Sequence, residues 1–489
     1  LKQYLKLEQV FKEISILESN IAILDWDKEV YMPVKAIGER SEQISLISKI
    51  IYEKLSSKYT KSLCDDVDIK DLNSWQLQNF RLIQKKIKIN SAMPSRLITD
   101  LAISSTKTAM IWRKAKEENN FNLVKEELKI LLQHIRDFAK IKADVMGTKP
   151  YEALIDEYEP GLKIEFIDEL MNSVQIFTTP IIQSLKLGTP TSIISEYPID
   201  AQKILIKFIL TDLGFDFSNG RIDTSSHPFC GGSSSDIRLT TNYNYHDFTQ
   251  SLYGAIHEAG HANYNRNLPK KWQYQTVGSS LSTGVHESQS LIYENQIARN
   301  FNFIKFLFPY LKKLFGCKIS FDDKFLYNNI NYIQPSLIRV DADEITYHTH
   351  VLIRYKIEKS LINNEIEVDN LPEIWNHAYK DMLGITPKND AVGCLQDIHW
   401  FAGSFGYFPT YTIGSVIAAQ IMHYASINIQ NLEEKIELGK FTEFNKFLSK
   451  TIHNYGSLFP NANSLINHNF KEQIDVKYFK SYIEKKYNF

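Results

Sequence analysis

The chain has 489 residues, 43% of them hydrophobic and 23% charged, the balance of a globular protein large enough to bury a sizeable core. Its formal net charge of −1 excludes a strong pull toward nucleic acid or an acidic membrane, and neither is expected as a partner. Cys64, Cys230, Cys317 and Cys394 are scattered without paired spacing, which fits reduced thiols in the cytoplasm better than a disulfide framework.

Helical periodicity dominates, with only 20 Gly and 15 Pro to punctuate it. The first fifty residues mix charge and apolar side chains at helical spacing, and the opening L-K-Q-Y-L-K-L-E-Q-V-F-K-E-I lacks the apolar core of a signal peptide. Leu1 in the place of Met reads as loss of the initiator. Residues 122–145 set Val124, Leu128, Leu131, Leu132, Ile135, Phe138 and Ala139 in one apolar stripe, and residues 203–215 follow the same pattern. Residues 225–245 break it. There S-S-H-P-F-C-G-G-S-S-S reads as a loop, and D-I-R-L-T-T-N-Y-N-Y alternates like a strand or hairpin that would wall a cleft. Striped helices are expected again at 303–315 and 348–363, then a polar and aromatic irregular stretch at 387–409. The longest apolar runs, such as 413–422, are too short to span a bilayer. No segment reads as a linker, so one mainly α domain with a small β element is expected over 1–489.

Within this pattern, the stretch Y-G-A-I-H-E-A-G-H-A-N carries the chemistry. At about 100° per residue, His257 and His261 lie roughly 40° apart around a helix and one turn apart along it, so both imidazoles reach one cation. Glu258 projects beside that cation as a general base. A catalytic zinc needs one more protein ligand and an open position. In G-V-H-E-S-Q-S-L-I-Y-E-N the candidates are His286, Glu287 and Glu294, and spacing does not choose among them. A closed structural zinc would need four ligands, usually with Cys; no cysteine is near in sequence, and only Cys230 is placed to approach in space.

Further segments, in order along the chain, resemble the carboxypeptidase Taq family of metallocarboxypeptidases. They are Trp26-Asp27 with Met32-Pro33, His227-Pro228-Phe229 (HPF), Asp236-Ile237-Arg238-Leu239-Thr240 (DxRxT), the zinc helix, and His286-Glu287-Ser288-Gln289-Ser290. Beyond them come Ile338-Arg339-Val340-Asp341-Ala342-Asp343 (IRxxAD) and Gly393-Cys394-Leu395-Gln396-Asp397-Ile398-His399-Trp400 (GxxQ with DxHW). The resemblance implies a mainly helical, two-lobed fold around a deep central groove, similar to neurolysin and angiotensin-converting enzyme. It implies Glu287 as the third ligand, one divalent metal per chain (zinc, with cobalt or manganese as substitutes), and a homodimer. Asp341 stands where Glu is common, and Cys230-Gly231-Gly232 departs from the family in the loop after HPF.

The expected activity is removal of C-terminal residues from peptides with a free C-terminus; an oligoendopeptidase or dipeptidase on a related scaffold is the rival. Arg339 lies among Asp341, Asp343 and Glu344, so it reads either as an internal ion pair or, as the resemblance favours, as the fork that binds the terminal carboxylate. Tyr407 or Tyr411 is the expected donor to the developing oxyanion, with aromatic packing as the plainer reading. By resemblance, Arg238 and Gln396 close the groove's end and limit substrate length. His227 either orients substrate, donates to the oxyanion, or braces its loop.

Overall fold

Apolar residues at alternating steps of three and four place Tyr4, Leu7, Phe11 and Ile14 on one face of the helix Lys2–Val30. That face buries against Leu55, Leu63, Phe80 and Ile83 from the helices Ile37–Ser56, Lys58–Asp65 and Ser74–Ala92. The computed structural model describes residues 1–185, 188 and 193–489, and its mainly helical chain divides into two compact units. The first is built from Leu1–Ile87, Thr191–Ile330 and Ile417–Gln473. The second is built from Lys88–Pro190, Asn331–Val416 and Ile474–Phe489.

The first unit holds the small sheet. Strands β1 (Gly220–Thr224), β2 (Cys230–Ser233) and β3 (Asp236–Thr241) run in the order β1-β3-β2, with β1 parallel and β2 antiparallel to β3. Of the strand or hairpin expected at 236–245, β3 forms there; its antiparallel partner β2 lies in the stretch read as a loop, and β1 precedes both. The hairpin depends on Gly232, whose φ of +89° and 2.0 Å gap from an added Cβ to the Asp236 carbonyl exclude any side chain. β3 then leads into the helix Phe248–Arg266, packs along it, and is tied to it by the Thr241 hydroxyl donating to the Ser251 carbonyl at 2.8 Å. Asp247 caps this helix by accepting from the Thr249 N–H at 2.8 Å.

In the second unit the helices Ser95–Glu117 and Asn122–Met146 pack as a pair. The latter turns the predicted stripe of Val124, Leu128, Leu131, Leu132 and Ile135 inward. The helix Thr346–Ile362 departs from expectation. It is buried on nearly every face, so no apolar stripe defines it, and His348, His350, Arg354 and Glu358 all lie in the interior. Each finds a polar partner there, as buried polar groups must. Residues 387–409 form turns and one short 3₁₀ segment, as expected of that composition. Among the described residues, no helix is long and apolar enough to cross a membrane.

Candidate metal centre

Glycine inside a helix weakens it, so Gly260 between Glu258 and His261 has to be explained by packing. A Cβ there would lie 2.5 Å from the Gln289 carbonyl oxygen and 2.6 Å from the Ser290 Cα. The missing side chain lets the helix Thr283–Leu291, started by Ser282 accepting from the Val285 N–H, lie backbone-close to Phe248–Arg266. Glu287 rides on that second helix and comes directly over the two histidines.

The resulting cluster is compact. Glu287 Oε2 lies 3.4 Å from His261 Nε2 and 3.8 Å from His257 Nε2, and the three ligand atoms all fall within 4.8 Å of one another. A tetrahedral ion with bonds of about 2.1 Å sets its donors about 3.4 Å apart, so the spacing is that of a metal's coordination shell. The remaining ring nitrogens fix the tautomers. His257 Nδ1 donates to Glu294 Oε2 at 2.8 Å, and His261 Nδ1 donates to the His286 carbonyl at 3.1 Å. Both Nε2 atoms therefore face Glu287, the orientation metal-binding histidines require.

The local field asks for a cation. Burial opposes protonation of His257, yet the Glu287 carboxylate, the hydrogen-bonded Glu294 and Glu258 outweigh it and push its pKa up to about 10. Glu294 is driven down to about 2: burial raises it, but the bond from His257 and the charges of Arg299 and His257 prevail. Glu287 is also lowered, because the two histidines overcome its burial. Glu258 goes the other way: burial, reinforced by Glu287 and Glu294 against the two imidazoles, raises its proton affinity above that of an ordinary carboxylate. The residues present thus fit a divalent ion, with a basic carboxylate adjoining two of the ligands.

The competing ligands are placed elsewhere. His286 stacks on His261 with ring centroids 4.4 Å apart and sets Nε2 2.9 Å from Asn265 Oδ1; burial, then the neighbouring histidines, keep it neutral. Glu294 is the partner of His257, on the side of the ring opposite Nε2. Cys230 is outside the ligand cluster, its sulfur accepting a long bond from Asn265 and its thiol kept protonated chiefly by burial.

Other residues of the first unit read differently. Arg238 forks onto Asp236 at 2.7 and 3.0 Å, with its guanidinium 4.5 Å above the Trp26 ring. His227 is exposed, and its backbone carbonyl accepts from the Ser225 hydroxyl, which braces the loop.

In the second unit Arg339 is buried and does pair internally, but not with the acids of its own segment. Its Nε and Nη2 both donate to Asp397 Oδ1, at 3.0 and 2.8 Å, and Nη1 donates to the Tyr347 hydroxyl at 2.9 Å. Asp343 instead caps the helix Thr346–Ile362, and Glu344 receives Lys486. Arg354 takes the other oxygen of Asp397 at 2.7 Å. Gln396, expected to face a groove, is buried: Oε1 accepts from the Arg339 N–H and Arg354 Nη2, while Nε2 donates to the carbonyls of Leu337, Val392 and Gly393. There it braces the two arginines. The Tyr411 ring lies 4.9 Å from the Arg339 guanidinium, its hydroxyl 3.2 Å from His399 Nε2, and the Tyr407 ring 5.3 Å away. Burial holds His399 neutral, at about 4, so its ring can accept from Tyr411. Sequence reasoning assigned no role to Asp397, although the DxHW match contains it, or to Glu358 and Arg299, which no spacing rule marks.

Comparison with known proteins places the chain in a family. The family model for carboxypeptidase Taq (M32) metallopeptidases matches residues 6–487. Carboxypeptidase 1 of Bacillus subtilis (strain 168) is 34% identical, covering 98% of this chain and 97% of its own; thermostable carboxypeptidase 1 of Pyrococcus furiosus is 31% identical, with 95% and 94% covered. The solved structure of Trypanosoma cruzi metallocarboxypeptidase 1 superposes with a TM-score of 0.95 at 32% identity, with both chains fully covered. The class is therefore that of the metallopeptidases, enzymes that hydrolyse peptides with a divalent metal. Within it, the chain belongs to the carboxypeptidase Taq (M32) family, and carboxypeptidase activity comes with that membership.

Proposed function

We propose that the protein is a zinc-dependent carboxypeptidase that removes residues one at a time from the free C-terminus of peptides, with His257, His261 and Glu287 as ligands and Glu258 as general base. The observation that carries this reading is the convergence of two Nε2 lone pairs and one carboxylate oxygen within 4.8 Å on the turn that bears Glu258. A divalent ion held there, zinc by preference and cobalt or manganese as substitutes, supplies Lewis acidity toward the scissile carbonyl and the attacking water.

Glu258 takes the proton of that water as its oxygen adds to the carbonyl carbon, and returns it to the amide nitrogen as the C–N bond breaks. The raised proton affinity of Glu258 suits both transfers. A phenol, Tyr411 or Tyr407, donates to the oxygen that gains charge. Arg339 uses its Nε edge for Asp397 and retains N–H groups on Nη1 and Nη2 for the substrate's terminal carboxylate. Arg238, held by Trp26 and Asp236, and Gln396 limit peptide length, with His227 as a weaker candidate for contact with substrate. The chain serves as one peptidase domain over 1–489, since it passes repeatedly from one unit to the other. Its proposed setting is a cytoplasmic homodimer, where its four free thiols stay reduced.

Mass spectrometry of a peptide digested by the zinc-reconstituted enzyme should show a ladder shortened from the C-terminus. A C-terminally amidated copy should be cut at a small fraction of that rate. Internal fragments, or equal cleavage of both peptides, would replace this reading with the oligoendopeptidase or dipeptidase.

A further inference from the structure

The segment after Glu287 winds as a π-helix over Ile292–Ala298, with i to i+5 hydrogen bonds in place of the α-helical i to i+4. The Arg299 N–H donates to the Glu294 carbonyl at 3.1 Å, five residues back. In an α-helix, side chains five apart diverge; the wider turn returns Arg299 to the face that Glu294 occupies. Arg299 Nη2 accordingly donates to Glu294 Oε1 at 3.0 Å, while Oε2 of the same carboxylate accepts from His257 Nδ1 at 2.8 Å. Arg299 is itself clamped. Its Nη1 donates to the Ile330 carbonyl at 2.7 Å, and its guanidinium lies 4.6 Å over the ring of Tyr253, one turn before His257 on the ligand helix. The Tyr253 hydroxyl donates to the Ala298 carbonyl, which docks the π-turn on that helix.

We infer that Arg299 is a positioning residue for the metal: by gripping Oε1 of Glu294 it presents Oε2 to His257 and so fixes the plane and tautomer of that ligand. The inference rests on the metal-site reading above. A carboxylate with one oxygen held by a clamped guanidinium is restricted in orientation, and an imidazole bonded to its other oxygen has its Nε2 aimed before any ion arrives. Without Arg299, Glu294 keeps its charge but loses its orientation, and His257 must be ordered by the ion itself. The cost then appears in metal affinity.

The test is zinc affinity of the full-length protein, measured by competition with a chromophoric chelator, beside thermal unfolding of the metal-free form and the side-chain 15N shifts of His257. Arg299→Met should weaken zinc binding by up to roughly 10- to 100-fold, the usual cost of losing a ligand's direct outer partner, since it acts through Glu294, and Arg299→Lys should recover part of it. Glu294→Gln should cause a similar loss, and adding Arg299→Met to it should cost little more, because the effect passes through Glu294. Wild-type zinc affinity in a folded Arg299→Met protein overturns the inference and leaves the metal site standing. A loss of the same size in the Glu294→Gln background also overturns it, since Arg299 would then serve only the π-turn. Should Arg299→Met fail to fold, Arg299→Lys decides: weakened binding with a changed His257 shift supports the inference, and unchanged values refute it. If Glu287→Ala binds zinc as the wild type does, the metal-site reading falls, and the inference with it.

Discussion

Each unit buries a cluster of charges, and the two clusters are closed in opposite ways. In the second unit, Asp397 lies between Arg339 and Arg354, each arginine holds one of its oxygens, and Gln396 ties the arginines to the backbone. Buried though it is, Asp397 is held well below the usual carboxylate range by those two guanidinium groups. In the first unit, Glu258, Glu287 and Glu294 surround two imidazoles and one arginine, and two lone pairs and a carboxylate oxygen point at a common centre. The cluster around Asp397 completes itself with protein groups, whereas the one around His257 and His261 aims three donor atoms at a centre that fits a cation. Buried charge is therefore weak evidence of function until the direction of its lone pairs is known.

The sharpest way to break the comparison is to remove one group from each cluster. Glu258→Gln should lower kcat by roughly 10²- to 10⁴-fold while zinc affinity and unfolding temperature stay near wild type. Loss of metal along with activity would move Glu258 from base to ligand. In the other cluster, Asp397→Ala leaves two guanidinium groups facing each other in the interior, and should cost about 3–5 kcal/mol in urea unfolding. A loss below about 1 kcal/mol would show that Asp397 is dispensable to the frame around Arg339.

A smaller effect, about 3 kcal/mol, concerns Glu358, which lies beneath the segment carrying Tyr407. It accepts from the Tyr151 hydroxyl at 2.6 Å, the Trp400 indole at 2.9 Å and the Gly406 N–H at 3.0 Å, yet burial outweighs these donors and pushes its pKa up to about 7. The folded protein thus holds this proton more tightly than the unfolded chain. Its stabilising effect is complete below about pH 4.5 and is lost as pH rises toward 7, by about 1.4 kcal/mol for every tenfold difference in proton affinity between the folded and unfolded chain. Glu358→Gln should flatten that part of the stability profile, and an unchanged slope in urea titrations between pH 5 and 7 would assign it to other groups.

How much of this was legible beforehand follows the range of the interactions. His257, Glu258 and His261 fall within one helical turn, so the 3.6-residue repeat placed them. The stripe at 122–145 and strand β3 were equally local, whereas β2 falls in a stretch that reads as a loop. Glu287 could not be separated from His286 and Glu294 by spacing, because the choice depends on how closely two helices approach. For Arg339 the sequence offered an ion pair within its own segment beside the favoured role at the substrate carboxylate; the acid it pairs with lies 58 residues away, and only tertiary structure joins them. A stripe was expected at 348–363 because polar residues are assumed to face solvent, whereas His348, His350, Arg354 and Glu358 are buried by tertiary partners that spacing does not reveal. Arg299 was missed for a related reason: a five-residue spacing belongs to neither the α nor the β period, and only the π-turn makes it meaningful.

The smallest change tests what separates Glu287 from its rivals. In a solvent-facing helix, Gly→Ala stabilises by about 1 kcal/mol, because alanine gives up less backbone entropy on folding. At Gly260 the sign should reverse. The new methyl meets backbone rather than a yielding side chain, 2.5 Å from the Gln289 carbonyl, so one helix must retreat from the other. Overpacking of this kind costs about 1–3 kcal/mol, which exceeds the propensity gain. The retreat also moves Glu287, two residues before the point of contact, out of reach of His261. Gly260→Ala should therefore weaken zinc binding more than it lowers the unfolding temperature of the metal-free protein. A variant that is more stable and binds zinc unchanged would mean that the helices tolerate separation, and that something other than their close approach selects Glu287.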